Sequence, residues 1–123
     1  MYAKSQKKEV IVFRPTTRWL KSFLIKNNYT EIAAQIDDDW CWMELGVFAK
    51  NVSQKVLDLV TAEIIKSGDG WACYRYCLDV EDRDDVREAM INSGNGWACR
   101  EYCYYVKDRD DVREIAEKGG YSV

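Results

Sequence analysis

The sequence predicts an all-α fold: a short solenoid of three to four α-helical hairpin repeats behind an extended N-terminal segment. Three observations predict it. First, residues 70–94 (GWACYRYCLDVEDRDDVREAMINSG) and 96–120 (GWACREYCYYVKDRDDVREIAEKGG) align at an offset of 26, with fifteen of 25 positions identical. Second, apolar residues within each copy recur three and four apart, the spacing of one helix face, and do not alternate as a half-buried strand would. Third, short polar residues and glycines stand where helices of about ten residues must start and stop.

From the N-terminus, Glu9-Val10-Ile11-Val12-Phe13 is apolar and β-branched and stops at Arg14-Pro15, and proline biases the residue before it toward extended backbone. Residues 1–15 are therefore expected to be a basic arm with an extended cap, and residues 16–123 the helical-repeat domain. Thr16 or Thr17 can cap a helix through Trp19, Leu20, Phe23 and Leu24, and Thr30 another through Ile32, Ala33 and Ile36. Asp39 can cap a helix over residues 40–50, and Ser53 a longer one through Val56, Leu57, Val60 and Ile64 that ends at Ser67-Gly68. In the two clear copies Asp69 and Asn95 cap the first helix, and Asp84 and Asp110 cap the second. A further acid follows in the first turn, Asp85 or Asp111, where it complements the helix dipole. Ser93-Gly94 and Gly119-Gly120 close the copies, because glycine accepts the left-handed position after a last turn. The units expected are 16–38, 39–68, 69–94 and 95–120, with leading tryptophans at 19, 40, 71 and 97. Helices this short are marginal alone and are stabilised by stacking on neighbours.

The repeat pattern, Gly-Trp-Ala-x-x-x-Tyr-x-x-x-Val-x-Asp-Arg-x-x-Val-Arg-Glu closing on Ser-Gly, resembles short helical repeats of uncharacterised bacterial and bacteriophage proteins. The resemblance covers 69–120 well and 39–68 loosely. It implies scaffolding and implies no activity. Cys77 and Cys103 stand where that pattern usually carries alanine.

Composition narrows the function classes. With 47% hydrophobic and 32% charged residues, the chain belongs with globular proteins and not disordered ones. No apolar run reaches membrane-spanning length, no secretory signal is apparent, and a cytoplasmic location is expected. Residues 1–30 carry seven bases and one acid, a charge of +6, and the rest carry eleven bases and twenty acids, a charge of −9. Direct nucleic-acid binding by the acidic body is not expected, since phosphate contact needs clustered positive charge.

Chemistry finds little support. There is no histidine, no recognisable nucleophile–base pairing and no phosphate-cradling glycine loop, so no enzyme is expected. The paired acids Asp84-Asp85 and Asp110-Asp111 read as helix-start compensation. No cofactor is expected. Cys73 and Cys77, with Cys99 and Cys103, lie four apart on helices, and two such pairs brought together would make a tetrahedral thiolate site for zinc. A structural zinc or redox module is thus the alternative to simple packing, in which cysteine substitutes for alanine.

The binding surface is sought where the copies differ. Trp71, Trp97, Tyr76 and Tyr102 are common to both copies and read as core packing between hairpins. Tyr74, Arg75, Leu78 and Asp79 become Arg100, Glu101, Tyr104 and Tyr105, and positions freed from the repeat's packing are expected at the surface, where Tyr and Arg make binding hot spots. The expected partner-binding set is Trp42, Tyr74, Arg75, Asp79, Arg100, Glu101, Tyr104 and Tyr105. The function expected is a non-enzymatic protein-binding module. Its sharper form is a phage-type inhibitor that presents an acidic surface to the basic nucleic-acid channel of a host defence complex, CRISPR or restriction. A solenoid with a flat exposed end also allows a homodimer.

Overall fold

The computed structural model describes residues 17–34, 45–50 and 52–123 (backbone only at 17–19, 45, 47 and 48). The described residues are all-α, as expected. Among the described residues eight helices follow one another: α1 (Thr17–Lys26), α2 (Thr30–Ala34), α3 (Leu45–Lys50), α4 (Gln54–Ser67), α5 (Gly70–Asp79), α6 (Asp84–Ser93), α7 (Gly96–Tyr105) and α8 (Asp110–Lys118). Two helices fall in each expected unit. The arm over 1–15, the cap expected at Asp39, Trp40, Cys41 and Trp42 lie outside the described residues.

Helices α1 with α2, α5 with α6, and α7 with α8 pack as hairpins. Hairpin then packs on hairpin: α5 lies against α7 on one side and α3 and α4 on the other, while α4 also touches α6. One apolar cluster runs through the stack. Val56, Val60 and Ile64 of α4, Tyr76 of α5, Val86 and Met90 of α6, Tyr102 of α7, and Val112 and Ala116 of α8 are all sealed from solvent. Leu20, Leu24 and Ala33 of the first hairpin belong to the same cluster. Each large side chain buried in this way contributes about 1.5–3 kcal/mol, more than a helix cap, so packing and not local propensity holds these short helices.

The period of the stack is set by the second helices. Val60, Ile64 and Ser67-Gly68 stand 26 residues before Val86, Met90 and Ser93-Gly94, in the same buried and closing roles. Separations of 21 and 31 between leading tryptophans therefore do not report the period in the earlier units. Leu45 of α3 stands 26 residues before Trp71 of α5.

The caps agree in part with expectation. Asp69 accepts from the Trp71 and Ala72 amides at 2.9 and 3.1 Å, Asn95 from Ala98 at 3.0 Å, and Ser53 from Val56 at 3.3 Å. Asp84 and Asp110 do not cap. Each is the first helical residue, Arg83 and Arg109 occupy the cap position, and neither arginine side chain caps. The next acid takes over: Asp85 accepts from the Val86 amide at 2.8 Å and clamps Arg83 at 2.8 and 3.1 Å. Asp111 repeats both contacts with Val112 and Arg109. Thr30 likewise opens α2 as a helical residue, with the Tyr29 carbonyl accepting from Ala33. Gly68 and Gly94 close their helices in the left-handed conformation, at φ 69° and 73°.

Candidate functional site

The repeat places equivalent residues in unequal surroundings, because among the described helices α5 is flanked on both sides and α7 on one. Tyr74, expected at the surface, is buried at 2% exposure. Trp71 lies beside it, ring centroids 5.1 Å apart. Arg75 and Asp79 form an ion pair at 3.0 Å with both side chains more than four-fifths covered. The backbone of α3 comes so close to the end of α5 that a Cβ on Gly46 would sit 2.6 Å from the Asp79 carbonyl oxygen. These three residues belong to the interior of the stack, and burial raises the Asp79 carboxyl above its ordinary value. They do not present a docking surface.

On α7 the same helix face is open. Tyr104 is 52% and Tyr105 64% exposed, as expected. Trp97, expected in the core, is 44% exposed: one face stacks on Trp71 with centroids 4.5 Å apart and planes 15° apart, and the rest meets solvent. Tyr121, which the sequence gave no reason to single out, is 41% exposed. Arg100 lies 4.8 Å from the Tyr104 ring centroid, a cation–π contact, and its guanidinium donates to Glu101 at 2.9 Å and to the Ser122 carbonyl at 3.3 Å. Tyr104 and Tyr105 meet edge to face at 6.4 Å. Arg100, Tyr104 and Tyr105 are thus brought together, while Glu101, expected at the surface, pairs with Arg100 but is only 18% exposed, as covered as Arg75. Trp97 stands on the same helix and the Tyr121 ring lies by Gly96. Among the described residues, three of the five large exposed hydrophobic side chains lie on α7 of this last hairpin and a fourth, Tyr121, just after α8, the fifth being Ile25.

The cysteines do not form a common site. Cys73, Cys77, Cys99 and Cys103 are buried free thiols. Cys73 Sγ lies 4.0 Å from the Ile64 carbonyl and Cys103 Sγ 3.9 Å from that of Arg109. No group of three or more Cys, Asp or Glu side chains among the described residues is arranged to hold a metal ion. Cys73 reaches back to α4 and Cys103 to the turn of its own hairpin, and the two pairs do not converge as the zinc alternative requires. Burial pushes the Cys73, Cys77 and Cys99 thiols up to about 12 and raises Cys103, which suppresses the reactive thiolate at neutral pH.

A polar network that the sequence did not announce joins the hairpins. The Tyr102 hydroxyl donates to the Asp82 carboxylate, with oxygens at 2.8 and 2.9 Å, and accepts from Arg87 at 3.3 Å. Arg87 also donates to Asp82 at 3.0 Å and to Asp84. One unit earlier, Thr61 stands 26 residues before Arg87, and its hydroxyl bonds that of Tyr76 at 2.8 Å. In both junctions the second helix of one hairpin reaches a tyrosine fifteen residues further on. The sequence identity of Tyr76 and Tyr102 hid this, because their partners, Thr61 and Arg87, are chemically unlike.

The repeat arginines are spent on repeat acids: Arg83 on Asp85, Arg87 on Asp82 and Asp84, Arg109 on Asp111, and Arg113 on Asp108. Between residues 81 and 88 five acids still face only two arginines, leaving −3. No helix among the described residues is long and apolar enough to cross a membrane. The chain matches no protein-family model, no curated protein and no solved structure.

Proposed function

We propose that the chain is a non-enzymatic helical-repeat binding protein, a short solenoid whose last hairpin docks a protein partner. The observation that carries this reading is the group of Trp97, Arg100, Tyr104 and Tyr105 exposed along α7, with Tyr121 by the start of that helix. Aromatic and arginine side chains bury large area at small entropic cost and dominate interface energetics. Isolated exposed hydrophobic residues are ordinary, but a contiguous group on one element marks an interaction surface.

The net acidity of residues 81–88 in the neighbouring hairpin, unrelieved by its paired arginines, supports a basic partner and hence the sharper reading, an inhibitor that occupies the nucleic-acid channel of a bacterial defence complex. Attraction of that kind steers association and weakens with salt. The test is capture of partners from bacterial host lysate by the wild-type chain and by a Tyr104→Ser/Tyr105→Ser variant, at low and high salt. Both tyrosines are more than half exposed, so the variant keeps its fold and its melting temperature. A partner held by wild type and lost by the variant supports the reading. A partner held equally by both overturns it, and loss at high salt separates the basic-channel form from an apolar contact.

A further inference from the structure

We propose that the open side of the last hairpin is a socket for one more helix of the repeat's own kind, and that it takes a partner helix carrying a tryptophan and, five residues on, a tyrosine. This deepens the docking face assigned above and rests on it.

The inference comes from the junction between residues 69–94 and 95–120, which shows what such a face accepts. There the incoming α7 lays Trp97 on Trp71 and sends the Tyr102 hydroxyl into the Arg87–Asp82 pair. Trp97 and Tyr102 are five residues apart. The preceding junction is filled in the same register, with Tyr76, five residues after Trp71, bonded to Thr61. The receiving residues Trp71, Asp82 and Arg87 all recur 26 positions on, as Trp97, Asp108 and Arg113.

The recurrent set is assembled in the same way. Trp97 offers an exposed ring face, as Trp71 would without α7. Arg113 pairs with Asp108 as Arg87 pairs with Asp82. The remaining contact of the Arg113 guanidinium is the Val123 carbonyl at 3.3 Å, the same distance at which Arg87 meets the Tyr102 hydroxyl. The Val123 carbonyl therefore stands in for the tyrosine oxygen, and an incoming tyrosine must displace it. Two receiving positions differ: Tyr74 and Leu78 become Arg100 and Tyr104. The occupant must accommodate a bulkier and more polar face than α7 meets on α5. A second copy of the chain has no such helix to offer from α5 or α7, since Tyr76 and Tyr102 are fully buried in its own junctions. The occupant we propose is a helix of another protein that presents this pair exposed.

The experiment titrates the ¹⁵N-labelled full chain with an unlabelled synthetic peptide of residues 95–120, whose own Trp97 and Tyr102 supply the incoming pair. Saturable shifts are expected at the labelled chain's Trp97 indole and Arg113 side chain. Affinity should fall about tenfold, the worth of one charge-assisted hydrogen bond, when the peptide carries Tyr102→Phe, and likewise when the full chain carries Arg113→Ala. Removing Val123 from the full chain should strengthen binding. Arg113 is a third exposed, and an unchanged circular dichroism spectrum controls for folding. Absence of saturable shifts overturns the proposal, and so does binding indifferent to both substitutions. Should the peptide fail while Tyr104→Ser/Tyr105→Ser still abolishes capture of a natural partner, the socket falls and the docking face stands.

Discussion

Removing a single hydroxyl from Tyr102 tests whether charge-assisted bonding couples the last two hairpins. In Tyr102→Phe the ring still fills its buried site and no cavity forms. Arg87 keeps Asp82 and Asp84, so no buried charge is stranded. What is lost is a donor to Asp82 and an acceptor for Arg87. Hydrogen bonds to charged groups are worth about 1.5–3 kcal/mol and neutral ones about 0.5–1.5 kcal/mol. Asp82 is partly solvated and recovers some of its loss from water, which places the cost near 2 kcal/mol. The comparison is Tyr76→Phe, which loses the neutral bond to Thr61 and a lesser interaction of the hydroxyl with Arg83, a cation that keeps its two bonds to Asp85, while Thr61 keeps its 2.7 Å bond to the Leu57 carbonyl. Its expected cost is about 1 kcal/mol. Urea denaturation followed by circular dichroism reads both, and in thermal melts each kcal/mol corresponds to about 4 °C for a domain of this size. A Tyr76→Phe cost equal to or above that of Tyr102→Phe refutes the reasoning, since the junctions would then be held by ring packing alone.

Two further substitutions and a pH series follow from the same geometry. A Cβ on Gly70 would meet Asn95 Cβ at 2.7 Å and also Ser93 Oγ, so Gly70→Ala should destabilise by about 1–3 kcal/mol through overpacking. Gly68→Ala has open space around it and loses only the freedom of a left-handed residue, about 1 kcal/mol, and the order of the two urea midpoints checks this. The thiols of Cys73, Cys77 and Cys99 ionise near 9 when unfolded and near 12 when folded. Above pH 9 the unfolded chain therefore binds fewer protons, and stability falls with rising pH. The slope is about 1.4 kcal/mol per pH unit for each thiol. Urea midpoints between pH 8 and 11 should drop, and Cys73→Ala with Cys99→Ala should flatten the drop; a pH-independent midpoint contradicts the burial. In a Cys41→Ser background, native thiol titration at pH 8 should detect no reactive cysteine.

Much of the architecture was legible in the sequence because a repeat states its own packing twice. Identity at Val86/Val112 and Tyr76/Tyr102 marked core positions, and Asp69, Asn95, Gly68 and Gly94 marked helix ends by their backbone chemistry. Three things were not legible. Asp84 and Asp110 looked like caps, but an arginine before each takes the extended position and an acid after each takes the amide, an arrangement settled by ion pairing and not by capping preference. Tyr74 looked free because its counterpart is arginine. Variation at a repeat position signals exposure only where both copies have the same neighbours, and α5 has one neighbour more than α7. For the same reason Trp97, identical to Trp71, is 44% exposed while its twin is partly buried. The tryptophan spacing also misplaced the period in residues 39–68, where Val60, Ile64 and Ser67-Gly68 carried the better signal.

The central claim is that the uncovered face of α7 is where a partner docks, and hydrogen–deuterium exchange on the complex with a captured partner measures that directly. Backbone amides across 96–105 and 119–123 should gain protection on binding, while those of α4 and α6 stay as they are in the free chain. Protection that appears instead along α4 and α6, with 96–105 unchanged, would contradict it.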